Sequence, residues 1–247
     1  MDDLLQLIKE HGGIYTCPRD TNGKMLGPLV GLQSRYDIKS GSLETGRLVT
    51  ADFFNFAHME QNHTRIFRMI AGLLAQRIRT QFSRQFEEDF SQVYILSVPA
   101  GGALLGSNIA CNLNCKYASA EKRFFHAPRD GMKYEIVLQH HQIEPGAQVI
   151  LVDDVCNNFS VIIGLLKSLI RLKLQPMAIA CGVNRSTQIN FQAPNFPTVP
   201  IIPLLHFPTQ QFRQDDPEVS HLIAKNEVFW NPRRDWHQLL EIMNPRG

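Results

Sequence analysis

The chain has 247 residues, which is enough for one substantial domain with additions or for two small domains. Its formal net charge of +2, with 19% charged residues, argues against a protein that binds nucleic acid mainly by electrostatics. The N-terminal segment "MDDLLQLIKEHGG" lacks the features of a signal peptide, and no stretch approaches about 18 consecutive apolar residues, so we expect a soluble, cytoplasmic protein without a membrane partner.

The first third of the chain predicts short elements followed by one long helix. Residues 3–10 indicate a short helix that stops at Gly12 and Gly13, and residues 14–55 are Gly-rich and irregular, as in short strands and turns. Residues 60–82 carry apolar side chains at helical spacing. Four arginines interleave with them, namely Arg65, Arg68, Arg77 and Arg79. These arginines form either a solvated helix face or a phosphate-binding group.

Three nearly continuous apolar runs predict strands that are buried on both faces of a parallel sheet. They are "VYILSV" (93–98), "VILVD" (149–153) and "MAIACGV" (177–183). Helical stretches follow the first two runs, "GALLGSNIACNL" and "SVIIGLLKSLIRL". This alternation predicts an α/β fold with a central, mostly parallel sheet flanked by helices.

The remaining segments predict additions to that sheet. "APRDG" has turn chemistry between segments that can pair, so we expect a hairpin that forms an exposed loop or arm. The tail after Phe207 indicates one or two surface helices. No internal repeat is present, which favours one compact unit with a long N-terminal addition.

The five cysteines are an odd number, which suits a reducing compartment better than a disulfide framework. The pair in "CNLNC" raises the possibility of zinc, but no second pair or histidine partner lies at ligand spacing. We therefore favour buried thiols.

Two loops at predicted strand ends contain the residues that best fit chemistry, because ligands collect at the carboxyl ends of strands in open α/β sheets. "PAGG" (99–102) could bring backbone N–H groups close to a phosphate, although Gly-Gly pairs also serve packing. In "DDVCNNFS" (153–160), two adjacent carboxylates repel each other unless hydroxyls or Mg²⁺ lie before them. The alternative is that one aspartate caps the next helix while the other faces water.

"VILVDDVCNNFS" resembles the 5-phosphoribosyl 1-pyrophosphate signature of type I phosphoribosyltransferases, and further motifs resemble orotate phosphoribosyltransferase. In chain order these motifs are "LLQLIKEHGGIY", "YDIKSG" (36–41), "VPAGGALLGSNIA", "YASAEKR", "CGVNRS" (181–186) and "PLLHFPTQ" (203–210). The resemblance spans roughly residues 3–212. It implies an N-terminal helix and hood segment at 1–59, a phosphoribosyltransferase core at 60–212 and a C-terminal extension at 213–247.

The resemblance also implies a role for each matched residue. Asp153 and Asp154 would hold the ribose hydroxyls, with Lys122 as a further catalytic residue and Mg²⁺ bound together with the donor. Lys39 and Arg185 would face the base. The residues that would bind the phosphates of the donor are Ala100, Gly101, Gly102, Arg123, Asn157, Asn158, Phe159, Ser160 and Val161. The resemblance further implies a homodimer, in which the arm reaches across the interface.

The departure from the family lies in the phosphate-binding loop, where Thr-Thr-Gly-x-Ser is replaced by residues 157–161, "NNFSV". Phe159 stands where the family has glycine, so we expect it to add bulk beside the pocket and to disfavour a positive φ. The two asparagine amides and the Ser160 hydroxyl could still supply hydrogen bonds.

The sequence therefore leaves three functions open. The first is an orotate phosphoribosyltransferase-like enzyme of nucleotide metabolism, in pyrimidine biosynthesis, which releases pyrophosphate as it joins a nitrogenous base to the phosphoribosyl group. The second is an inactive protein of the same fold that binds a nucleotide or phosphosugar as a sensor or regulator. The third is a structural or interaction protein.

Overall fold

Alternation of apolar runs with amphipathic segments produces seven helices and fourteen strands in the described part of the chain. The structure, a computed structural model, describes residues 2–37, 45–87, 89–99, 101–127, 131–138 and 142–243. The helices are α1 (Asp2–Glu10), α2 (Phe56–Asn62), α3 (Thr64–Phe86), α4 (Ala103–Leu113), α5 (Ser160–Arg171), α6 (Ser220–Ala224) and α7 (Trp236–Met243).

The strands range in length from two to ten residues. They are β1 (Ile14–Thr16), β2 (Leu29–Asp37), β3 (Thr45–Thr50), β4 (Asp52–Phe54), β5 (Tyr94–Ser97), β6 (Lys116–Ser119), β7 (Glu121–Ala127), β8 (Gly131–Val137), β9 (Gln148–Cys156), β10 (Gln175–Asn184), β11 (Asn190–Phe191), β12 (Val199–His206), β13 (Gln211–Phe212) and β14 (Val228–Phe229).

The chain forms two compact units instead of the single unit expected from the sequence. One unit combines residues 1–62 with 208–247, and the other contains residues 63–207. Within the described residues, no helix is long and apolar enough to cross a membrane. The three consecutive segments delimited from the sequence remain predictions, because the compact units follow spatial contacts rather than chain order.

The unit of residues 63–207 contains the predicted parallel sheet. Its strand order is β11-β12-β10-β9-β5-β6, and every neighbouring pair is parallel except β11 with β12. Successive strand residues point to opposite faces, so Leu96 and Leu151 share an apolar cluster with α5, while Ile95 and Ser97 lie against Gly106 of α4. Helices therefore cover both faces of the sheet, as predicted.

The long helix predicted at 60–82 is two helices, α2 and α3, separated at His63. Two of its four arginines have structural partners: Arg77 donates to the carbonyl of Pro203, and Arg79 donates to the carbonyl of Asn112. These two arginines connect α3 to β12 and to the end of α4. The sequence had indicated only a solvated helix face or a phosphate-binding group for them. Arg65 and Arg68 are exposed.

The spacing of "CNLNC" is explained by the end of α4. Asn114 adopts a left-handed conformation with φ 53°, and the N–H of Cys115 donates to the carbonyl of Ala110 at 3.1 Å. Cys111 is exposed, contrary to the expectation of buried thiols. Cys115 is half-buried, and this burial raises the pKa of its thiol to about 11. The other three cysteines are buried.

The predicted hairpin is confirmed. Strands β7 and β8 pair antiparallel from Glu121 opposite Val137 to Ala127 opposite Gly131, and the turn at 128–130 lies outside the described residues. Phe124 of this arm is 62% exposed.

The tail after Phe207 is more than a pair of surface helices, because it completes a sheet. β13 pairs with β3 and β14 with β2, giving the order β13-β3-β2-β14. Trp230 lies directly on Gly31, and the Arg47 guanidinium stacks 5.1 Å from the centre of its ring while donating to the Trp230 carbonyl at 3.0 Å. This docking requires a glycine at position 31.

We expect Gly31→Ala to destabilise this unit, because an added Cβ would lie 2.3 Å from Cε3 of Trp230. Overpacking of this kind costs about 1–3 kcal/mol in free energy of unfolding, and thermal denaturation should therefore show a Tm lower by several degrees. Gly72→Ala is the matched control, since its nearest neighbour would be Asn112 Oδ1 at 3.8 Å and alanine favours the α3 helix. Equal Tm values for the two variants would contradict the docking of Trp230.

Candidate functional site at the carboxyl edge of the parallel sheet

Three neighbouring parallel strands bring the candidate residues to one edge of the sheet. β10, β9 and β5 lie side by side, so the segments that follow their carboxyl ends converge. These segments contain Gly101 and Gly102 after β5, residues 157–161 after β9, and Arg185 after β10.

The two aspartates lie within β9 rather than in the loop after it. Sequence reasoning ended this strand at Asp153, but the strand continues to Cys156 because β10 extends beside it to Asn184. The N–H of Arg185 donates to the Cys156 carbonyl at 2.8 Å and prolongs this pairing. The acids are therefore held by a regular hydrogen-bonded ladder.

Backbone donors fix the orientation of both carboxylates. The N–H of Asp154 donates to Asp153 Oδ1 at 2.9 Å, and the N–H of Val155 donates to Asp154 Oδ1 at 2.8 Å. The pKa of Asp153 is raised well above its ordinary value of 3.8, mainly because burial removes water from the carboxylate. The charge of the neighbouring Asp154 is the second cause. A pair of this kind favours a bound cation or hydroxyl donors, because either relieves the repulsion.

The glycines of the 99–102 segment pack directly against β9. A Cβ on Gly101 would lie 2.6 Å from Asp154 Oδ1, and a Cβ on Gly102 would lie 2.4 Å from the carbonyl oxygen of Val152. Close packing thus requires both glycines. Packing is the alternative to phosphate binding that the sequence left open for this pair. The same packing brings this segment into contact with the buried Asp154 carboxylate. Ala100 lies outside the described residues.

The segment after β9 keeps a glycine-like backbone although it contains phenylalanine. Phe159 has φ 56° and ψ 14°, which is a left-handed conformation, and its ring is only 6% exposed. The ring enters the apolar cluster beneath α5 and meets the Phe191 ring edge-on at 5.3 Å between centroids. The prediction of added bulk beside a pocket is therefore wrong, because the ring lies in the core, and Phe159 adopts the positive φ although this conformation is disfavoured for phenylalanine.

The beginning of α5 is partly capped from within the loop. Asn158 Oδ1 accepts a hydrogen bond from the Ser160 N–H at 3.2 Å. This contact uses one of the N–H groups that a helix N-terminus offers to an anion. Asn158 and Ser160 are exposed, and Val161 is half-buried.

A buried polar network after β10 was missed by sequence reasoning. Asn184 is 1% exposed, and its Nδ2 donates to the Gln188 carbonyl at 2.7 Å while its Oδ1 accepts from the Ser186 N–H and hydroxyl at 3.0 and 2.7 Å. This network fixes the backbone around Arg185, which is itself 4% exposed. An Asn-x-Ser sequence directly after a buried strand was the signal available, because such residues bond to nearby backbone groups in turns.

The other basic residues predicted for the site lie on the hairpin or outside the described residues. Lys122 and Arg123 are exposed on β7, and Arg123 Nη1 lies 3.7 Å from Glu135 Oε1 across the hairpin. Lys39, expected near the base, lies outside the described residues.

Comparisons with known proteins bear on this architecture. No protein-family model matches the chain, and no curated protein sequence matches it. Among solved structures, adenine phosphoribosyltransferase from Rhodothermus marinus aligns with a TM-score of 0.50 and 15% identity over 84% of this chain and 100% of its own. Orotate phosphoribosyltransferase from Aeropyrum pernix aligns with a TM-score of 0.48 and 12% identity over 90% and 97%.

A third similar structure is adenine phosphoribosyltransferase from Trypanosoma brucei in complex with AMP, pyrophosphate and ribose-5-phosphate. It aligns with a TM-score of 0.48 and 15% identity over 81% of this chain and 79% of its own. Identities this low bear on the fold alone. The alignment with the Rhodothermus marinus enzyme, together with the parallel sheet and the helices on both of its faces, shows that the chain has the type I phosphoribosyltransferase fold.

Proposed function

We propose that the protein transfers a phosphoribosyl group from 5-phosphoribosyl 1-pyrophosphate to a nitrogenous base, as an orotate phosphoribosyltransferase-like enzyme. The observation that carries this proposal is the contact of the Asp154 carboxylate with Gly101 at the carboxyl edge of the sheet. It places Asp154 beside the glycine segment, so a ligand with ribose hydroxyls and a pyrophosphate could contact both at once.

The acids would act on the sugar. Asp153 and Asp154 each have one oxygen bound to a backbone N–H, and the second oxygen of each would accept a hydrogen bond from a ribose hydroxyl. Held in this way, the ribose would present its anomeric carbon to the base. Carboxylates beside the ring also stabilise the positive charge that develops there in an oxocarbenium-like transition state.

The other segments would bind the charged ends of the donor. The amides of Ala100, Gly101 and Gly102 would contact the pyrophosphate, with Lys122 and Arg123 approaching from the arm. Residues 157–161 would hold the 5′-phosphate at the N-terminus of α5. Arg185 would face the base, and its buried setting suits a planar anionic group.

Magnesium fits the acid pair chemically. Loss of hydration is the main cause of the raised pKa of Asp153, and the charge of Asp154 adds to it, so a cation bound at the pair would relieve this repulsion. No group of three or more His, Cys, Asp or Glu side chains among the described residues could hold a metal ion alone, so a magnesium ion would take further ligands from the donor. When bound, it would neutralise charge on the pyrophosphate.

The reaction breaks one bond and forms another at the anomeric carbon. A ring nitrogen of the base supplies the electron pair for the new carbon–nitrogen bond, and the pyrophosphate oxygen leaves with the pair of the broken carbon–oxygen bond. The chain's residues would contribute positioning and charge stabilisation, without a covalent intermediate. We further propose a homodimer, which rests on the sequence resemblance, and a cytoplasmic location, which rests on the odd number of cysteines.

A second candidate function is non-catalytic binding of a nucleotide or phosphosugar. The hydrogen bond from the Ser160 N–H to Asn158 Oδ1 favours it, because this N–H group is already engaged. A loop with fewer available donors would bind a 5′-phosphate more weakly than the family's threonine-rich loop.

Isothermal titration with 5-phosphoribosyl 1-pyrophosphate and Mg²⁺ tests the proposal, and we expect saturable binding. Pyrophosphate release should then occur when a suitable base is added from a panel that includes orotate and adenine. Binding without release for any base would favour the second candidate. Absence of binding at millimolar ligand would overturn the enzymatic proposal.

A further inference from the structure

Phe159 occupies a backbone conformation that phenylalanine rarely adopts. Its φ of 56° lies in the left-handed region, which glycine enters freely and bulky residues enter only when their surroundings hold them there. Phe159 immediately precedes α5, and its carbonyl accepts the first helical hydrogen bond, from the Ile163 N–H at 2.8 Å. The direction in which the helix N-terminus faces therefore depends on this residue.

Burial of the Phe159 ring stabilises this backbone conformation. It is buried in the cluster that contains Ile162 and Leu166 of α5, and its main aromatic partner is Phe191 of the edge strand β11. The two rings lie at 61° to each other, in the edge-on arrangement that aromatic pairs favour. Phe191 is itself 2% exposed and has a second edge-on partner, Phe196 at 6.4 Å.

We infer that Phe191 is a positioning residue, which acts through the Phe159 ring to hold residues 157–161 in the form that receives the 5′-phosphate. This inference rests on the proposed function. A glycine at position 159 could adopt the same φ but could also leave it, whereas a buried ring restricts the loop to one conformation. Preorganisation of this kind raises affinity, because less conformational freedom is lost on binding.

The effect is specific to one end of the donor. Phe191 and Phe159 support the loop after β9, whereas the pyrophosphate would bind the segment after β5. Loss of the aromatic contact should therefore weaken ligands that contain a 5′-phosphate and leave pyrophosphate binding unchanged. If Phe191 served only the stability of the fold, its replacement would lower the free energy of unfolding without selectively weakening ligands that contain a 5′-phosphate.

The test compares Phe191→Leu with Phe90→Leu by isothermal titration with ribose 5-phosphate and, separately, with pyrophosphate and Mg²⁺. Phe90 is a matched control in the same unit, since it is 1% exposed and its ring lies 5.0 Å from that of Phe86. Both variants should lower Tm. Only Phe191→Leu should weaken ribose 5-phosphate, by about three- to tenfold, with pyrophosphate unaffected.

A second variant keeps the test decisive if Phe191→Leu folds poorly. Phe159→Gly retains the permitted φ and removes the ring, so it should show the same selective loss for ribose 5-phosphate. In the Phe159→Gly background, Phe191→Leu should have no further effect on affinity, because its partner ring is gone. Additive effects, or equal affinities for Phe191→Leu and Phe90→Leu, would overturn the inference. Failure of the unaltered protein to bind ribose 5-phosphate or the full donor would instead overturn the proposed function beneath it.

Discussion

Replacing Asp153 and Asp154 together with asparagine should abolish stabilisation by 5-phosphoribosyl 1-pyrophosphate while leaving the protein folded. Asparagine keeps the oxygens that accept the Asp154 and Val155 N–H groups, so the end of β9 should be preserved. The interactions lost would be the proposed charge-assisted hydrogen bonds to ribose hydroxyls, and such bonds contribute about 1.5–3 kcal/mol each. Binding should therefore weaken about 10²- to 10⁴-fold.

The single variant Asp153→Asn should also change how stability depends on pH. Since the pKa of Asp153 is raised in the folded chain, its stabilising contribution is present below the ordinary pKa of 3.8 and is lost as the pH rises through the raised value. Chemical denaturation at a series of pH values should show this loss in the unaltered protein and a flatter profile in the variant. At neutral pH, Asp153→Asn should therefore be at least as stable as the unaltered protein.

Asp89→Asn provides the matched control for donor binding. Asp89 precedes β5, at the amino ends of the strands, and its Oδ1 accepts from the Ser91 N–H at 2.9 Å. Its replacement should leave donor binding unchanged. Unfolding of the double variant would show instead that the acid pair serves the structure of the sheet.

A second large effect is expected from Asn158→Asp, which should separate helix stability from anion binding. The aspartate can still accept from the Ser160 N–H, and a negative charge near the N-terminus of α5 stabilises the helix by about 0.3–1 kcal/mol. The same charge would lie beside the proposed 5′-phosphate. Repulsion between unit charges about 4 Å apart is on the order of 1–4 kcal/mol near a protein surface, so affinity should fall roughly 5- to 1,000-fold.

Thermal denaturation and titration with ribose 5-phosphate, at low and at moderate ionic strength, measure the two effects separately. Asn195→Asp carries the same change in net charge at an exposed turn, where φ is already 68° and aspartate is tolerated. It should leave affinity unaltered. Unchanged affinity in Asn158→Asp would remove the loop after β9 from the phosphate site.

Strands β5, β9 and β10 of the parallel sheet were predictable because each contains a nearly continuous apolar run. The ends of these elements were less predictable. β9 extends beyond Asp153 because β10 pairs with it as far as Asn184, and no local property of "DDVC" indicates this extension. The long helix breaks at His63, which the apolar spacing alone did not reveal.

Within the candidate site, sequence order indicated which residues to consider but not how they meet. Gly101 and Asp154 are separated by more than fifty residues, and their contact depends on β5 and β9 being neighbours. Phe159 was interpreted from its bulk and its φ preference, both of which are local properties. The direction of its ring depends on Phe191, which lies on a strand formed later in the chain.

By itself, the sequence determined the α/β class, the parallel strands, the hairpin and the position of the acid pair, because these follow from hydrophobic periodicity and local turn chemistry. Tertiary structure alone decided that the tail after Phe207 completes the N-terminal sheet and that a phenylalanine can replace a glycine before α5. Both outcomes depend on burial against residues distant in sequence: Trp230 packs on Gly31, and Phe159 packs on Phe191. Such burial outweighs the local backbone preferences from which a sequence is interpreted.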